Sequence, residues 1–431
     1  MHILLFILYS VAGGYAIVRL PFFRNSGIRP GVLLLLFAIH VLTGCLHNMI
    51  AWRFYPGHGD IWSYYENSIA TRDELFNDFH AFLRDNSTWG WFTHNSLINI
   101  HLILNFFSYQ NLYINTLLFS FPVFLGTTAL FRVFRRHFPG SMPAALSVYL
   151  LPSALFWTSC VHREGALYMF LGFFFYSLDR RAMRTAAIFF LLIAYFRSAV
   201  TLTLIPAVAV WWWLSIPSRS LRKKLLLAGG AGLLLFIALA GPLLLKILAH
   251  QQQAFQDLEG HSRIALPVMD GSLTTFLHTL PAALLDGWLQ PLPGVGGQKI
   301  YIVFSLELLL IWAIVILALL RRRIVPSRLH PLPQASTPAP APPPASTAVY
   351  PATPASPPAQ PAAAQAPDHF AACCVLFALG GMLLVGLIVP FVGAIVRYRS
   401  IYLPFLLAPF LHGLGSTSVL RRFGQWIAHR L

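Results

Sequence analysis

The chain contains repeated runs of apolar residues, each close to the length of a membrane-crossing helix. A helix needs roughly 20 apolar residues to cross a bilayer core about 30 Å thick. The fold class predicted from these runs is all-α, a polytopic transmembrane helical bundle with about eleven spans. The predicted spans are 2–20, 31–51, 111–131, 141–158, 164–178, 185–196, 199–215, 224–245, 300–320, 370–390 and 400–415.

The composition agrees with a membrane location. The 431 residues are 57% hydrophobic and only 10% charged, whereas soluble domains carry roughly 25% charged residues. So few charges cannot cover the surface of a water-soluble protein of this length. The four cysteines form neither a disulfide framework nor a paired zinc motif. Three of them lie within apolar runs, where a free cysteine usually packs as a small hydrophobic residue.

The net charge of +16 comes mainly from basic clusters at alternate span ends. The positive-inside rule makes that side cytoplasmic, which places the N-terminus outside and the C-terminus in the cytoplasm. Because the basic residues serve as an orientation signal, the charge argues against a nucleic-acid partner. The clusters lie at 19–29, 132–136, 180–184, 219–224, 321–328 and 421–430.

The run from 185 to 215 is too long for one ordinary span and is interrupted by Arg197. A single long helix would place the basic clusters on either side of it on opposite faces of the membrane, against the positive-inside rule. We therefore predict two short helices that meet at the outer face, with Arg197 at their junction. A helix this short is tolerated when it is buried among neighbours or lines a cavity.

The regions between spans divide the chain further. Two large outer loops are predicted at 52–110 and 246–299, and the first holds an amphipathic stretch around Leu97–Phe107. Residues 331–368 are dominated by Pro and Ala, a composition that predicts a disordered, extended linker. The predicted parts are a membrane domain over 1–320, a cytoplasmic linker over 321–369 and a C-terminal two-span hairpin with a basic tail over 370–431.

Ionisable residues collect at the predicted outer ends of the spans. Asp60 follows two glycines that allow a sharp turn and leave its carboxylate accessible. Convergent arginines beside one accessible carboxylate indicate a phosphate-binding site with a base. Asp60 is the candidate catalytic residue. The candidate substrate-binding residues are His58, Tyr64, Glu66, His162, Arg163, Glu164, Arg197, Arg397 and Arg399.

Each of these residues also has a structural interpretation. Asp60 suits the N-cap of a helix, Arg163 and Glu164 suit an interfacial ion pair, and the other arginines suit snorkelling to lipid headgroups. A metal site at His58 and Asp60 would need further ligands, so no metal ligand is assigned and a divalent cation stays open. No phosphate-binding glycine loop, zinc-protease motif or nucleophile elbow is present.

Gly59-Asp60 with Tyr64-Tyr65 in the first outer loop, followed by the amphipathic stretch before residue 110, resembles the GT-C superfamily of polyprenyl-phosphate-sugar-dependent membrane glycosyltransferases. Three segments also resemble uncharacterised bacterial membrane proteins of glycan assembly, and this resemblance implies a location in the bacterial inner membrane. An extra N-terminal span and the lack of a second, Asp-x-Asp motif depart from that superfamily. The three segments are Leu151 to Gly165, Phe196-Arg197 and Val396 to Ser400.

The resemblance implies a transferase that uses a polyprenyl-phosphate-linked sugar donor, a glycan or lipid acceptor and membrane lipids as partners. Asp60 would take the proton of the acceptor and the arginines would stabilise the phosphate. Two alternatives stay open: a polysaccharide polymerase or O-antigen ligase, and a lipid-linked glycan transporter or flippase. Transporters carry ionisable residues near the midplane, whereas Glu307 is nearly the only acid deep within a predicted span.

Overall fold

The computed structural model describes residues 1–55, 57, 59–85, 96–258, 262–292, 300–324 and 369–415. Within these ranges the regular secondary structure is helical, and the one bridge between extended residues joins Arg263 to Phe391. The all-α prediction is therefore confirmed. Most of the predicted linker and the basic tail lie outside the described residues.

Eighteen helices form in the described part of the chain. They are α1 (His2–Arg19), α2 (Pro21–Arg24), α3 (Pro30–Phe54), α4 (Gly59–Asn77), α5 (Phe79–Asp85), α6 (Ser96–Ser108), α7 (Leu112–His137), α8 (Met142–Leu150), α9 (Pro152–Thr158), α10 (Arg163–Asp179), α11 (Met183–Phe196), α12 (Ser198–Leu214), α13 (Arg219–Gln256), α14 (Leu273–Leu289), α15 (Ile300–Ile324), α16 (Phe370–Ile388), α17 (Val392–Arg399) and α18 (Leu403–Leu414).

Several of these helices are suited to a lipid bilayer. Five of them, α1, α3, α7, α15 and α16, are long and apolar enough to cross a membrane. The pair α17 and α18, bent by 58°, makes a sixth if it counts as one broken span. The described helices thus support a membrane protein with five to six candidate spans.

The break predicted at Arg197 is confirmed. Helix α11 ends at Phe196 and α12 begins at Ser198, with the Arg197 backbone extended between them at φ −163° and ψ 94°. Helix α11 packs on α10, and α12 packs on α16. The two short helices therefore form a bend whose apex is Arg197.

The structure adds detail to two other predicted segments. The span 141–158 is two helices, because Pro152 favours an extended conformation at Leu151 (φ −67°, ψ 119°) and ends α8 there. The outer loop 246–299 begins within α13 and contains α14, which packs against α16. This packing is close because Gly386 lacks a Cβ that would overlap the carbonyl oxygen of Ala283.

The core is built around α7, the most deeply buried of the candidate spans. Its partner α10 approaches so closely that a Cβ at Gly172 would overlap the carbonyl oxygen of Gly126. Phenylalanines fill the space beside this contact, and the Phe134 and Phe175 rings each lie edge-on or tilted against Phe405. Tight packing therefore fixes α10, whose first turn carries the next residues of interest.

Candidate functional site

Four separate segments bring charged side chains together at one end of the bundle. The start of α4 supplies Asp60, the first turn of α10 supplies Arg163 and Glu164, the α11–α12 junction supplies Arg197, and α17 supplies Arg397. These residues are up to 337 positions apart in the chain. Their convergence was predicted from the sequence, and the contacts below define its geometry.

Asp60 lies in the first turn of α4, which begins at Gly59. Gly57 and Gly59 adopt φ of +60° and +70°, a conformation that side chains with a Cβ rarely adopt. Because the helix starts before Asp60, this residue is not its N-cap. Instead, the Asp60 Oδ2 atom accepts a 2.6 Å hydrogen bond from Arg397, while its side chain stays 57% exposed.

Glu164 is completely buried and binds two arginines. Its Oε2 atom accepts a 2.9 Å hydrogen bond from Nε of Arg397, and its Oε1 atom accepts one of 3.0 Å from Arg197. Glu164 was predicted to bind substrate, and its contacts in the structure are with Arg197 and Arg397. The carboxylate holds two guanidinium groups in fixed orientation. Hydrogen bonds between such groups are stronger when the groups are shielded from water.

Arg397 links the two carboxylates and lies near two aromatic rings, 5.8 Å from the centroid of Trp157 and 5.6 Å from that of Tyr398. Besides Glu164 and Asp60, its NH2 atom lies 3.4 Å from Nδ1 of His162. The Arg197 guanidinium stacks on the Tyr398 ring, 3.5 Å from the centroid. Charge-assisted hydrogen bonds and cation–π contacts of this kind fix both the position and the direction of a guanidinium.

Two cavities flank this cluster. The first, which we term the Asp60 cavity, has a volume of about 320 Å³ and includes Asp60, Arg397 and His162 in its wall. The second, which we term the arginine cavity, has a volume of about 470 Å³ and is lined by Arg163 and Arg197. Tyr398 and Phe255, whose rings meet edge to face, line both cavities, so the two cavities adjoin at these rings.

The arginine cavity is suited to an anion. Residues 198–200, the first turn of the 17-residue helix α12, line it together with Arg163 and Arg197. A helix N-terminus carries a partial positive charge and unpaired N–H groups, which favour phosphate. The cluster contains three guanidinium groups and two carboxylates, so it carries an excess of positive charge. The two carboxylates, Glu164 and Asp60, both pair with Arg397.

The remaining predicted residues take different places. Tyr64 lies near the cluster, where burial and the neighbouring Asp60 raise its pKa above the usual value, so the phenol stays protonated. Glu66 is exposed on α4 and is not among the described residues that line either cavity. Arg399 is buried apart from the cluster, where it donates to the carbonyl oxygens of Gly287 and Gln290 at the end of α14. His58 lies outside the described residues.

Sequence reasoning missed several residues of this site. His47 on α3 and Tyr301 on α15 line the Asp60 cavity, and Cys160 lies buried beside His47. Each of them stands within an apolar run, and the sequence analysis gave none of them a functional role. A histidine inside a membrane span is costly, and that cost was the available signal for His47.

Comparison of the chain with protein-family models, with curated proteins and with solved structures finds no match. No relative therefore assigns a reaction or a ligand to this arrangement. The functional conclusion depends on the geometry and charge of the two cavities.

Proposed function

We propose that the protein is a GT-C-like membrane glycosyltransferase that moves a sugar from a polyprenyl-phosphate donor to a hydroxyl acceptor. The observation that carries the proposal is a half-exposed carboxylate, Asp60, held by Arg397 beside a cavity lined by two further arginines. The proposal includes eleven crossings, with this cluster on the extracytoplasmic side. That orientation follows from the positive-inside rule, because the other span ends carry the basic clusters.

The donor phosphate fits the arginine cavity. Arg163, Arg197 and the first N–H groups of α12 supply hydrogen-bond donors and positive charge around a single pocket. These groups would stabilise the negative charge that the phosphate gains as it leaves. The buried Glu164 carboxylate holds Arg197 and Arg397 in fixed positions, so these arginines need little reorganisation during that step.

The acceptor fits the Asp60 cavity, which adjoins the arginine cavity at Tyr398. Its hydroxyl oxygen attacks the anomeric carbon, and a new C–O bond forms as the bond from that carbon to the phosphate oxygen breaks. The bonding electron pair leaves with the phosphate, and the hydroxyl proton passes to Asp60. Attack from the side opposite the phosphate inverts the anomeric centre.

The polyprenyl chain has a matching groove. Beyond the arginine cavity, α10, α11 and α12 enclose an apolar groove of about 420 Å³. Phe190 and Ala187 on α11 face Leu204 and Val208 on α12 there. Because the bend at Arg197 joins the same two helices, a lipid with its phosphate at the apex can extend its chain between the two arms.

Mass spectrometry of lipids that copurify with the protein tests this proposal. Polyprenyl phosphates or their sugar derivatives should be retained by the wild-type protein and depleted in an Arg163→Ala/Arg197→Ala double variant. Arg136→Ala, which removes an exposed arginine of α7 that pairs with Asp179 at the far end of α10, is the matched control and should retain them. Equal retention by all three proteins would contradict the assignment of the arginine cavity.

The alternatives give distinct results in reconstituted vesicles. Transfer of single sugars supports the proposal, whereas products of increasing chain length would replace it with polymerase or ligase activity. Movement of a lipid-linked glycan across the bilayer without any new glycosidic bond would replace it with transport.

A further inference from the structure

Three metal-ligating side chains meet beneath the Asp60 cavity. The ligand atoms of His47, Cys160 and His162 all lie within 4.8 Å of one another, and the residues are 1%, 0% and 2% exposed. We propose that these residues bind one Zn²⁺ ion through two imidazole nitrogens and a thiolate. The proposal does not depend on the glycosyltransferase assignment, since it follows from the ligands alone.

The state of His47 is the independent observation that points to a ligand. Both of its ring nitrogens are buried without a hydrogen-bond partner, whereas His40 and His101 each have one such nitrogen. Leaving a buried polar group unsatisfied costs about 1–3 kcal/mol. The aromatic rings of Phe156 and Trp157, at 4.5 and 5.1 Å, hold the imidazole without offering an acceptor to both nitrogens.

The backbone brings the ligands together through one close contact. Helix α3 approaches the end of α9 so closely that a Cβ at Gly44 would overlap the carbonyl oxygen of Ser159. His47 follows Gly44 by about one turn on the same face of α3. Cys160 and His162 occupy a tight turn in which the N–H of His162 donates 2.7 Å to the carbonyl oxygen of Cys160.

The ligand set favours zinc among the divalent cations. Zn²⁺ takes histidine nitrogen at about 2.0–2.1 Å and thiolate sulfur at about 2.3 Å. Magnesium and calcium prefer oxygen ligands. Three protein ligands leave a fourth position, and His47 and His162 both line the Asp60 cavity. A water molecule from that cavity would complete a tetrahedral site.

The nearby arginine does not exclude a cation. Arg397 lies 3.4 Å from Nδ1 of His162, at the long limit of a hydrogen bond, so it holds this nitrogen only weakly. Its charge is compensated by Asp60 and Glu164, which lie 2.6 and 2.9 Å from it. The Cys160 thiolate offsets one of the two charges that zinc would add.

Metal analysis of the purified, detergent-solubilised protein tests the proposal. After exposure to Zn²⁺ and dialysis, the wild-type protein should retain one zinc per chain, and Cys160→Ser and His47→Gln should lose it. Cys45→Ser and His40→Gln, which change the same residue types in α3 outside the cluster, should retain it. Wild-type protein that retains no more zinc than Cys160→Ser would overturn the proposal.

Cobalt substitution provides a test that needs no ligand variant to fold. Co²⁺ added to metal-free wild-type protein should give thiolate-to-metal charge-transfer absorption in the near ultraviolet. Prior alkylation of Cys45 alone should leave that absorption unchanged, because this thiol lies outside the cluster. Cobalt binding without the absorption would show that Cys160 is not a ligand and would contradict the site.

Discussion

The charge pairs at the two ends of helix α10 differ in their exposure to water. At its first turn, Glu164 is completely buried and pairs with Arg197 and Arg397, whose side chains are largely shielded from water. At its last residue, about 22 Å away, Asp179 is 9% exposed and pairs with His137 at 3.2 Å and with Arg136, whose side chain is 64% exposed. Burying charges is costly and breaking a buried pair more so, whereas exposed pairs contribute little. The first end therefore holds the more deeply buried and more rigid group of charges.

The arginines at the other end serve a different purpose. Arg135 donates a 2.6 Å hydrogen bond to the carbonyl oxygen of Ser26, and Arg132 lies over the rings of Phe22 and Tyr176. These contacts tie the α1–α3 region to α7. Basic residues that bind carbonyls and aromatic rings at a span end are expected for anchoring and orientation.

The largest difference in stability between the two ends is expected when each acid of α10 is replaced by alanine. Glu164→Ala leaves two guanidinium groups without their buried partner, and loss of one member of a buried pair costs about 3–5 kcal/mol. Asp179→Ala should cost less, about 1 kcal/mol, because Arg136 is exposed to water and His137, its other partner, is the only shielded group left behind among its described partners. Thermal unfolding in detergent measures both. Equal losses would remove the distinction between the two ends.

A smaller effect is expected when arginine is replaced by lysine at each end. Arg197→Lys keeps the charge for Glu164 but loses the planar stack on Tyr398, a contact worth about 0.5–2 kcal/mol. Arg136→Lys should leave stability within measurement error, since a surface pair tolerates either cation. An Arg197→Lys protein as stable as the wild type would show that the stack does not hold Arg197 in place.

The sequence predicts the helical class and much of the site, for reasons that the structure makes clear. Arg197 interrupts an apolar run, so the break there was visible, and Asp60, Arg163 and Arg397 stood at predicted span ends. These are signals carried by single residues within an apolar background. The all-α class needs only the length and hydropathy of the runs.

Other features depend on contacts that no local pattern encodes. Helix α14 lies in a stretch predicted as an outer loop. The sequence did not indicate this helix, because it is stabilised by close packing against α16 around Gly386. Arg399 is two residues from Arg397 on a helix, so it points to another side and binds carbonyls of α14. His47 and Cys160 are brought together only by the approach of α3 to the end of α9.

The central claim is that Asp60 takes a proton during sugar transfer, and one comparison of turnover tests it. Asp60→Asn keeps the shape of the side chain but cannot accept that proton, so turnover should fall about 10²–10⁴-fold, with donor lipid still bound. Glu66→Gln, an exposed change on the same helix, is the control and should transfer sugar normally. An Asp60→Asn protein with the turnover of the control would contradict the assignment of Asp60 as the base.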